Sequence, residues 1–232
     1  ALCVLFLVAT MSSAQQWVEM MQDPDVPFGQ VRAAYDAWAD AHPVERSKGR
    51  KVFERWSEGG SNQWGVDWND RGEAFFEACV IPHMWHAIQG ARYQRQAGPH
   101  PDVHTYEDIK TIAWGRYEKA AYAGAMVYLG GAFPAEWRDQ FFFHDIHMNK
   151  LRCETMVPTG SGYRSEKKVD FGVSGDRWFR GLSPQYGPDG GVFINDWYDK
   201  VPCHQQMNFT DRSNGRVYKI VTEAVKPVKV DL

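Results

Sequence analysis

The chain has 232 residues, of which 44% are hydrophobic, 24% charged and 14% aromatic, which is enough for one or two domains with a filled core. The formal net charge of −3 excludes a strongly basic surface that seeks phosphate, so we expect no binding of nucleic acid. This composition also argues against a protein of many membrane spans and against a disordered chain.

The first residues are typical of a secretory signal peptide. An apolar run over residues 1–9 is too short to span a bilayer, and small residues ending at Ala14 follow it. We therefore expect residues 1–14 to be removed on export, leaving no transmembrane span and a periplasmic or cell-surface protein. The alternative is a buried N-terminal helix or strand. Because position 1 is Ala rather than Met, we also expect the chain to be a truncated or fused reading frame.

Residues 15–56 are predicted to form a helical N-terminal arm. Phe28, Val31, Tyr35 and Trp38 recur at spacings of three and four residues, which is the apolar stripe of an amphipathic helix. Nothing in this arm carries an evident chemistry, so the candidate functional residues all lie beyond it.

A repeated strand pattern begins after residue 56. Three segments combine a turn with an apolar strand that ends in a polar or acidic residue, and they place Phe75, Phe142 and Phe193 at equivalent positions. The interval between Phe142 and Phe193 is close to the length of a propeller blade, about 40 to 50 residues. The first interval is longer and indicates an insertion over residues 82–122, where strand patterns are weak.

The predicted fold is therefore all-β, a partial β-propeller of two to three blade-like antiparallel sheets. It occupies residues 57–224 and is followed by a C-terminal tail at residues 225–232. Closed propellers usually need about four to eight blades, so these repeats are too few to complete a ring.

Long ordered runs in this part of the chain carry a family resemblance. They include WRDQFFFHDIHMNKL, DRWFRGLSPQYGPDGGVFINDWYDK and DRSNGRVYKI. Over about residues 56–222 the sequence resembles the C-terminal part of the bacterial membrane-bound dehydrogenase domain family, β-propellers related to glucose/sorbosone dehydrogenases. The earlier blades of that family have no counterpart here. Tyr122–Ala123 also stands where the family commonly has His.

The resemblance implies oxidation of a sugar or polyol with pyrroloquinoline quinone and calcium as cofactors. It further implies an electron-transfer partner such as a c-type cytochrome. The chain itself contains no C-x-x-C-H haem motif. The three cysteines beyond the signal segment, Cys79, Cys153 and Cys203, allow one disulfide bond without favouring a pair.

Histidines lie beside each of the repeated strands. Imidazole titrates near neutral pH, so such residues suit proton abstraction from a hydroxyl group or metal ligation. The alternative for each is a hydrogen bond to a backbone carbonyl. We expect His83 or His86, His144 or His147, and Asp196 to share one concave surface. The insertion is expected to cover this surface. The candidate catalytic residues are His83, His86, His144, His147 and Asp196.

Other polar residues are candidates for binding. Arg92, Arg95, His204 and Arg212 are candidate substrate-binding residues, although solvated arginines are common. Asp145 ends the second repeated strand and Asp199 follows the third, where carboxylates bind calcium or, more commonly, cap turns.

The sequence therefore predicts a fragment of an exported dehydrogenase-like β-propeller that oxidises a sugar or polyol. The alternative is a non-catalytic propeller that binds carbohydrate or protein at the cell surface. A third possibility is a truncated chain without independent function. Convergence of several histidines and an arginine on one pocket distinguishes the enzyme from the binding protein.

Overall fold

The structure is a computed structural model, and it divides into two compact units, Ala1–Arg55 and Trp56–Leu232. The predictions for residues 1–14, His204, Arg212, Cys203 and residues 225–232 lie outside the described residues. The described residues are 19–20, 23, 25–41, 55–80, 82–96, 98–100, 106–119, 121–202 and 214–223.

The first unit contains helix α1, Phe28–Ala41. Pro27 precedes it, where a fixed φ and a missing N–H are tolerated, and its carbonyl accepts a hydrogen bond of 2.8 Å from the amide of Gln30. Val31 of the predicted apolar stripe is buried. Within the described part of the chain, no helix is long and apolar enough to cross a membrane.

The second unit begins with a sheet of three antiparallel strands in the order β1-β2-β3, here called sheet 1. The strands are β1, Gln63–Trp68; β2, Ala74–Ala78; and β3, Met84–Ala87. Strand β3 lies inside residues 82–122, the predicted insertion in which strand patterns are weak. Its four residues are too few to show a period along the sequence, and pairing with β2 holds them in the sheet.

Sheet 2 has four antiparallel strands in the order β4-β5-β6-β7. The strands are β4, Tyr122–Val127; β5, Gln140–Asp145; β6, Lys150–Thr159; and β7, Gly162–Val173. Strand β5 is buried on both of its faces, which explains its nearly continuous apolar sequence. Each buried phenylalanine of β5 contributes roughly 1.5–3 kcal/mol through removal of apolar surface from water.

Sheet 3 has three antiparallel strands in the order β10-β9-β8. The strands are β8, Gly181–Tyr186; β9, Val192–Asp196; and β10, Arg216–Ile220. Strands β8 and β9 form a hairpin whose turn includes a hydrogen bond of 2.9 Å from the amide of Gly190 to the carbonyl of Gly187. The turn residues Pro188 and Asp189 are those that β-turns favour.

Sheet 2 lies between the other two sheets. Phe143 belongs to a buried cluster with Phe75 and Met84 of sheet 1. Phe142 points the other way and clusters with Val192 of sheet 3. Face-to-face stacking of small antiparallel sheets is the arrangement of neighbouring propeller blades. The prediction of antiparallel blade-like sheets is confirmed, and the three sheets described here do not close a ring.

The three repeated segments each form a strand with a neighbour on both sides. Phe75 lies on β2, Phe142 on β5 and Phe193 on β9, one in each sheet. The first strand of sheet 2, β4, contacts the first strands of both other sheets, β1 and β8. Glycine permits this approach, because a Cβ at Gly65 would overlap the backbone of Ala125.

Candidate functional site

The ends of β2, β5 and β9 meet at one edge of the stacked sheets, which we call the rim. An apolar cluster at the rim takes side chains from all three sheets: Cys79, Ala121 and Ile146, with Leu182 and Trp197 packed against them. The amide of Ile146 donates a hydrogen bond of 3.0 Å to the carbonyl of Ala121. Strand ends that follow three similar segments of sequence are thus neighbours in space.

His147 is the candidate histidine that the rim leaves partly accessible. It lies in the turn after β5 and is half-buried. Burial lowers the pKa of His147, the positive charges of Lys119 and Arg180 lower it further, and the carboxylate of Asp145 opposes the shift. The imidazole is therefore mainly neutral at neutral pH, and it can accept a proton from a group that approaches the rim.

Asp196 also lies at the rim, but its carboxylate is fully occupied. Its Oδ1 accepts hydrogen bonds of 2.7 Å from the amide of Arg180 and 2.9 Å from the amide of Tyr198. Its Oδ2 accepts hydrogen bonds of 2.8 and 2.6 Å from Arg216, whose guanidinium stacks 3.8 Å from the centre of the Tyr198 ring. We conclude that Asp196 positions Arg180 and Arg216 and is poorly placed to accept a proton from a substrate.

His83 lies on the opposite face of sheet 2 from His144. Its ring is fully buried, 4.6 Å from the ring of Phe143, and its Nε2–H donates a hydrogen bond of 2.7 Å to Oε1 of Glu154. Trp114 and Tyr117 donate to the same oxygen at 3.0 and 2.9 Å. His83 therefore belongs to a closed polar cluster between sheets 1 and 2.

The charges of this cluster follow from its contacts. Burial alone raises the pKa of Glu154, but the attraction and hydrogen bond of His83, with the hydrogen bond from Tyr117, outweigh it and leave this pKa below its ordinary value. Burial and the neighbouring carboxylate of Glu154 raise the pKa of Tyr117. The cluster thus holds an ionised carboxylate among donors, which stabilises the contact between the sheets without facing solvent.

Asp145 is engaged by a buried arginine. Arg152 donates to Oδ2 of Asp145 at 2.7 Å, and Oδ1 accepts a hydrogen bond of 3.1 Å from the amide of Met148. Arg152 also pairs with Asp170 and lies 4.1 Å above the centre of the Tyr117 ring. Both oxygens of Asp145 therefore have protein partners, as is usual for a buried carboxylate.

The predicted calcium site does not form among the described residues. None of them come together as a group of three or more His, Cys, Asp or Glu that could hold a metal ion. Asp199 accepts a hydrogen bond of 3.3 Å from the amide of Val201, the turn-capping alternative. The rim arginines Arg152, Arg180 and Arg216 bind carboxylate or carbonyl oxygens. The described residues thus hold no such ligand group for calcium, and these three arginines are already bound to oxygens of the protein.

His144 lies next to Phe143 on β5 and faces sheet 3. It is 1% exposed, and a Cβ at Gly181 would overlap its ring. Burial lowers the pKa of His144 to about 3, although the backbone carbonyl of Lys150 opposes the shift, and neither ring nitrogen makes a hydrogen bond of normal geometry. The predicted surface joins His83 or His86 with His144 or His147 and Asp196. His83 packs against Phe143, and His144, the next residue of β5, points to the other face of sheet 2, so His83 and His144 do not share a surface.

His144 and Asp196 are nevertheless brought to the same strand end. Gly181, against which the His144 ring lies, is the register partner of Asp196 in the pairing of β8 with β9. The candidates that gather around the start of β8 are therefore His144, His147, Asp145 and Asp196.

The remaining described candidates lie away from the rim. His86 stacks on Phe75 with ring centres 5.3 Å apart and contacts Tyr163, at the opposite end of β7 from the rim. Burial lowers the pKa of His86, and Glu73 opposes the shift. Arg92 pairs with Asp108 at 2.7 Å. Arg95 is partly exposed in the segment after β3.

Several residues at these contacts carried no signal in the sequence. Arg152 and Glu154 alternate with the apolar Leu151 and Cys153 along β6, a pattern typical of a strand with one solvent-facing side. His83, Trp114 and Tyr117 cover that side, so both charged residues are fully buried. Cys79 and Cys153 are buried, and neither forms a disulfide bond with a described residue.

An aromatic groove of about 540 Å³ lies on the face of sheet 1 that points away from sheet 2. Trp56, Trp68, Phe76 and Tyr93 line it together with Gln63. Trp68 is 51% exposed, an unusual position for so large an apolar side chain.

Comparison with known proteins assigns the chain to a family. Residues 40–224 match the family described as a domain of unknown function, DUF7133. The chain belongs to the DUF7133 family. None of the curated proteins matches the sequence.

This DUF7133 chain is similar in structure to proteins described as sugar dehydrogenases. An oxidoreductase (glucose dehydrogenase) from Thermus thermophilus has a TM-score of 0.51 at 15% identity, with 77% of this chain and 50% of that chain covered. A glucose dehydrogenase gives a TM-score of 0.45 at 19% identity, covering 78% and 46%. The soluble aldose sugar dehydrogenase of Escherichia coli gives 0.42 at 14%, covering 65% and 46%.

Only the similarity to the Thermus protein bears on the fold, since the other two TM-scores are too low. It shows that the stacked sheets of the DUF7133 chain have a dehydrogenase-like β fold. The chain spans about half the length of the solved structures that it matches.

Proposed function

We propose that the chain is part of an exported dehydrogenase-like β-propeller that oxidises a sugar or polyol at the rim. The observation that carries the proposal is the position of His147, a partly accessible and mainly neutral imidazole beside Asp145 and Arg180. The fold shared with an oxidoreductase (glucose dehydrogenase) supports the same class of reaction. The proposed location is the periplasm or the cell surface.

The proposed reaction assigns a proton and an electron pair. Oxidation of an alcohol carbon to a carbonyl breaks its O–H bond and one C–H bond. His147 accepts the hydroxyl proton, and the attraction of Asp145 stabilises the imidazolium that forms. The hydride passes to an electron acceptor outside the described residues, and electrons then pass to a cytochrome-like partner.

The test is oxidation of a panel of monosaccharides and polyols by the full chain with an artificial electron acceptor. The assay is run with and without added pyrroloquinoline quinone and Ca²⁺. We expect His147→Gln to lower the rate at least about 100-fold, the usual contribution of a general base. The control is His100→Gln, because the contacts of His100 are with the carbonyl of Tyr93 and with Asp108, away from His147. Absence of oxidation under every condition, or an unchanged rate for His147→Gln, contradicts the proposal.

A second candidate function is carbohydrate binding without catalysis, and the aromatic groove on sheet 1 favours it. Flat aromatic faces with a few polar neighbours suit the apolar face of a sugar ring. Calorimetric titration of oligosaccharides tests this function. Trp68→Ala is expected to weaken binding at least tenfold while leaving any oxidation unchanged. Equal affinity of this variant and the unmodified chain excludes the groove.

A further inference from the structure

A second cavity lies between sheets 2 and 3. It is a cleft of about 340 Å³, at the lower end of the roughly 300–1,000 Å³ that is usual for ligand pockets. Strands β5, β6, β9 and β10 contribute to its walls, as does the segment that leads into β8. Its described lining residues are His144, Asn149, Leu151, Gly172, Val173, Ser174, Phe179, Ile194, Tyr218, Lys219 and Ile220.

His144 is the polar group in this cleft whose bonding is incomplete. Its ring is almost fully buried, yet neither Nδ1 nor Nε2 makes a hydrogen bond of normal geometry. A buried polar atom without a partner costs about 1–3 kcal/mol, so native proteins rarely leave one unpaired. A neutral imidazole offers one N–H donor and one acceptor nitrogen, and a hydroxyl group can satisfy either.

The rest of the cleft favours an uncharged aromatic ring. Phe179 lies with its ring centre 5.9 Å from His144 and 6.1 Å from Tyr218, and Leu151 and Ile194 add aliphatic surface. These aromatic rings provide faces and edges against which another ring can pack.

The cleft does not offer a free charge to an ionic ligand. Lys219 is the ionic side chain among the described lining residues, and its ammonium pairs with Asp189 outside the lining. Asn149 uses its Nδ2 group to donate to the carbonyl of Arg177 at 3.3 Å and to that of Phe179. A charged ligand would therefore lose its hydration without gaining an opposite charge.

We propose that this cleft is a binding site for a small uncharged aromatic compound with a hydroxyl group, the phenol class, held by a hydrogen bond to His144. The site is distinct from His147, which lies in the turn beyond β5 and is absent from the cleft. A bound ring packs beside Phe179 and Tyr218, and its hydroxyl forms a hydrogen bond with one nitrogen of the imidazole. Binding of a phenol does not depend on sugar oxidation, so either proposal can fail alone.

The experiment compares phenol with toluene, which has similar size and no hydroxyl group. Each compound is titrated into the full chain, with binding followed by two-dimensional NMR. We expect saturable binding of phenol, with toluene at least tenfold weaker. Phenol is expected to shift the ¹⁵N resonances of the His144 ring, and toluene to leave them unchanged.

Variants locate the hydrogen bond. His144→Phe keeps a ring in place without nitrogens, and it is expected to lower the affinity for phenol to that for toluene. His100→Gln is the control and should bind phenol as the unmodified chain does. If His144→Phe fails to fold, the ¹⁵N shifts of the unmodified chain decide the question. No saturable binding, equal affinities for phenol and toluene, or unshifted His144 nitrogens would each overturn the proposal.

Discussion

A buried histidine lies against each face of sheet 2, and the two histidines differ in their hydrogen bonding. Towards sheet 1, His83 contacts Phe143 and pairs with Glu154 at 2.7 Å. Towards sheet 3 lies His144, the residue after Phe143 on β5. Neither of its ring nitrogens makes a hydrogen bond of normal geometry. Both rings are almost fully buried. The difference teaches that the partner which the neighbouring sheet supplies, rather than burial alone, decides whether a histidine is structural or available to a ligand.

The largest expected effect is the loss of stability on replacing Arg152, which lies on the same face of sheet 2 as the partner of His83, Glu154. Arg152→Leu leaves the buried carboxylate of Asp145 without its cation, so we expect the free energy of unfolding to fall by about 3–5 kcal/mol. Urea denaturation measures this change. Arg164→Leu breaks an exposed pair with Glu166 and is expected to cost less than about 1 kcal/mol. Similar losses for the two variants would show that the Arg152 pairs contribute little.

A matched pair of substitutions then compares the two histidines directly. His83→Phe leaves Glu154 without one of its donors, and we expect a loss of about 2–3 kcal/mol in unfolding free energy. His144→Phe removes two unpaired nitrogens and keeps the ring, so we expect a change within about 1 kcal/mol of either sign. Thermal and urea denaturation give both values. Equal losses would contradict the assignment of different roles.

The dependence of stability on pH sharpens the same contrast. The pKa of His144 falls from 6.5 to about 3 on folding, so the unfolded chain takes up a proton first as the pH falls. The contribution of His144 is complete above about pH 6.5 and is lost progressively towards pH 3, with a slope of at most about 1.4 kcal/mol per pH unit. His144→Phe is expected to remove this slope from urea denaturation measured between about pH 4 and about pH 8. An unchanged slope would place the titrating group elsewhere.

The last expected effect is at Glu77, whose pKa shifts in the direction opposite to that of His144. Burial raises its pKa well above 4.5, and the amide of Gly124 opposes the shift only in part. Its contribution to stability is therefore complete below about pH 4.5 and is lost as the pH rises through the folded pKa. Glu77→Gln keeps a neutral side chain, so the variant should become more stable relative to the unmodified chain as the pH rises. A constant difference across pH in urea denaturation would contradict this sign.

Much of the fold could be predicted because its signals are local. Turn residues and short apolar runs identified Phe75, Phe142 and Phe193 as equivalent, and each lies on a strand of a different sheet. Strand β3 was missed, because four residues cannot show a period and only pairing with β2 reveals the strand. Strands with a clear local pattern can thus be predicted from the sequence. A short edge strand can be recognised only once the strand with which it pairs is known.

The candidate site was predicted only in part. The positions after apolar strands predicted Asp145, His147 and Asp196 as candidates, and their chain neighbours Ile146 and Trp197 belong to the rim cluster, because equivalent strands end at the same edge of stacked sheets. Their bonding was not predictable. The carboxylates of Asp145 and Asp196 are occupied by Arg152 and Arg216, and the alternating pattern around Arg152 is typical of a strand with one side exposed to solvent.

By itself, the sequence determined the β class, the repeated strands and the strand ends where polar residues collect, since turn chemistry and side-chain alternation act over a few residues. Only the tertiary structure decided which face each strand buries against which sheet. That choice gave His83 a carboxylate partner, left His144 beside a cleft and buried Arg152 with Asp145. The physical reason is that a contact between sheets depends on residues far apart in the chain, whose meeting no local pattern encodes.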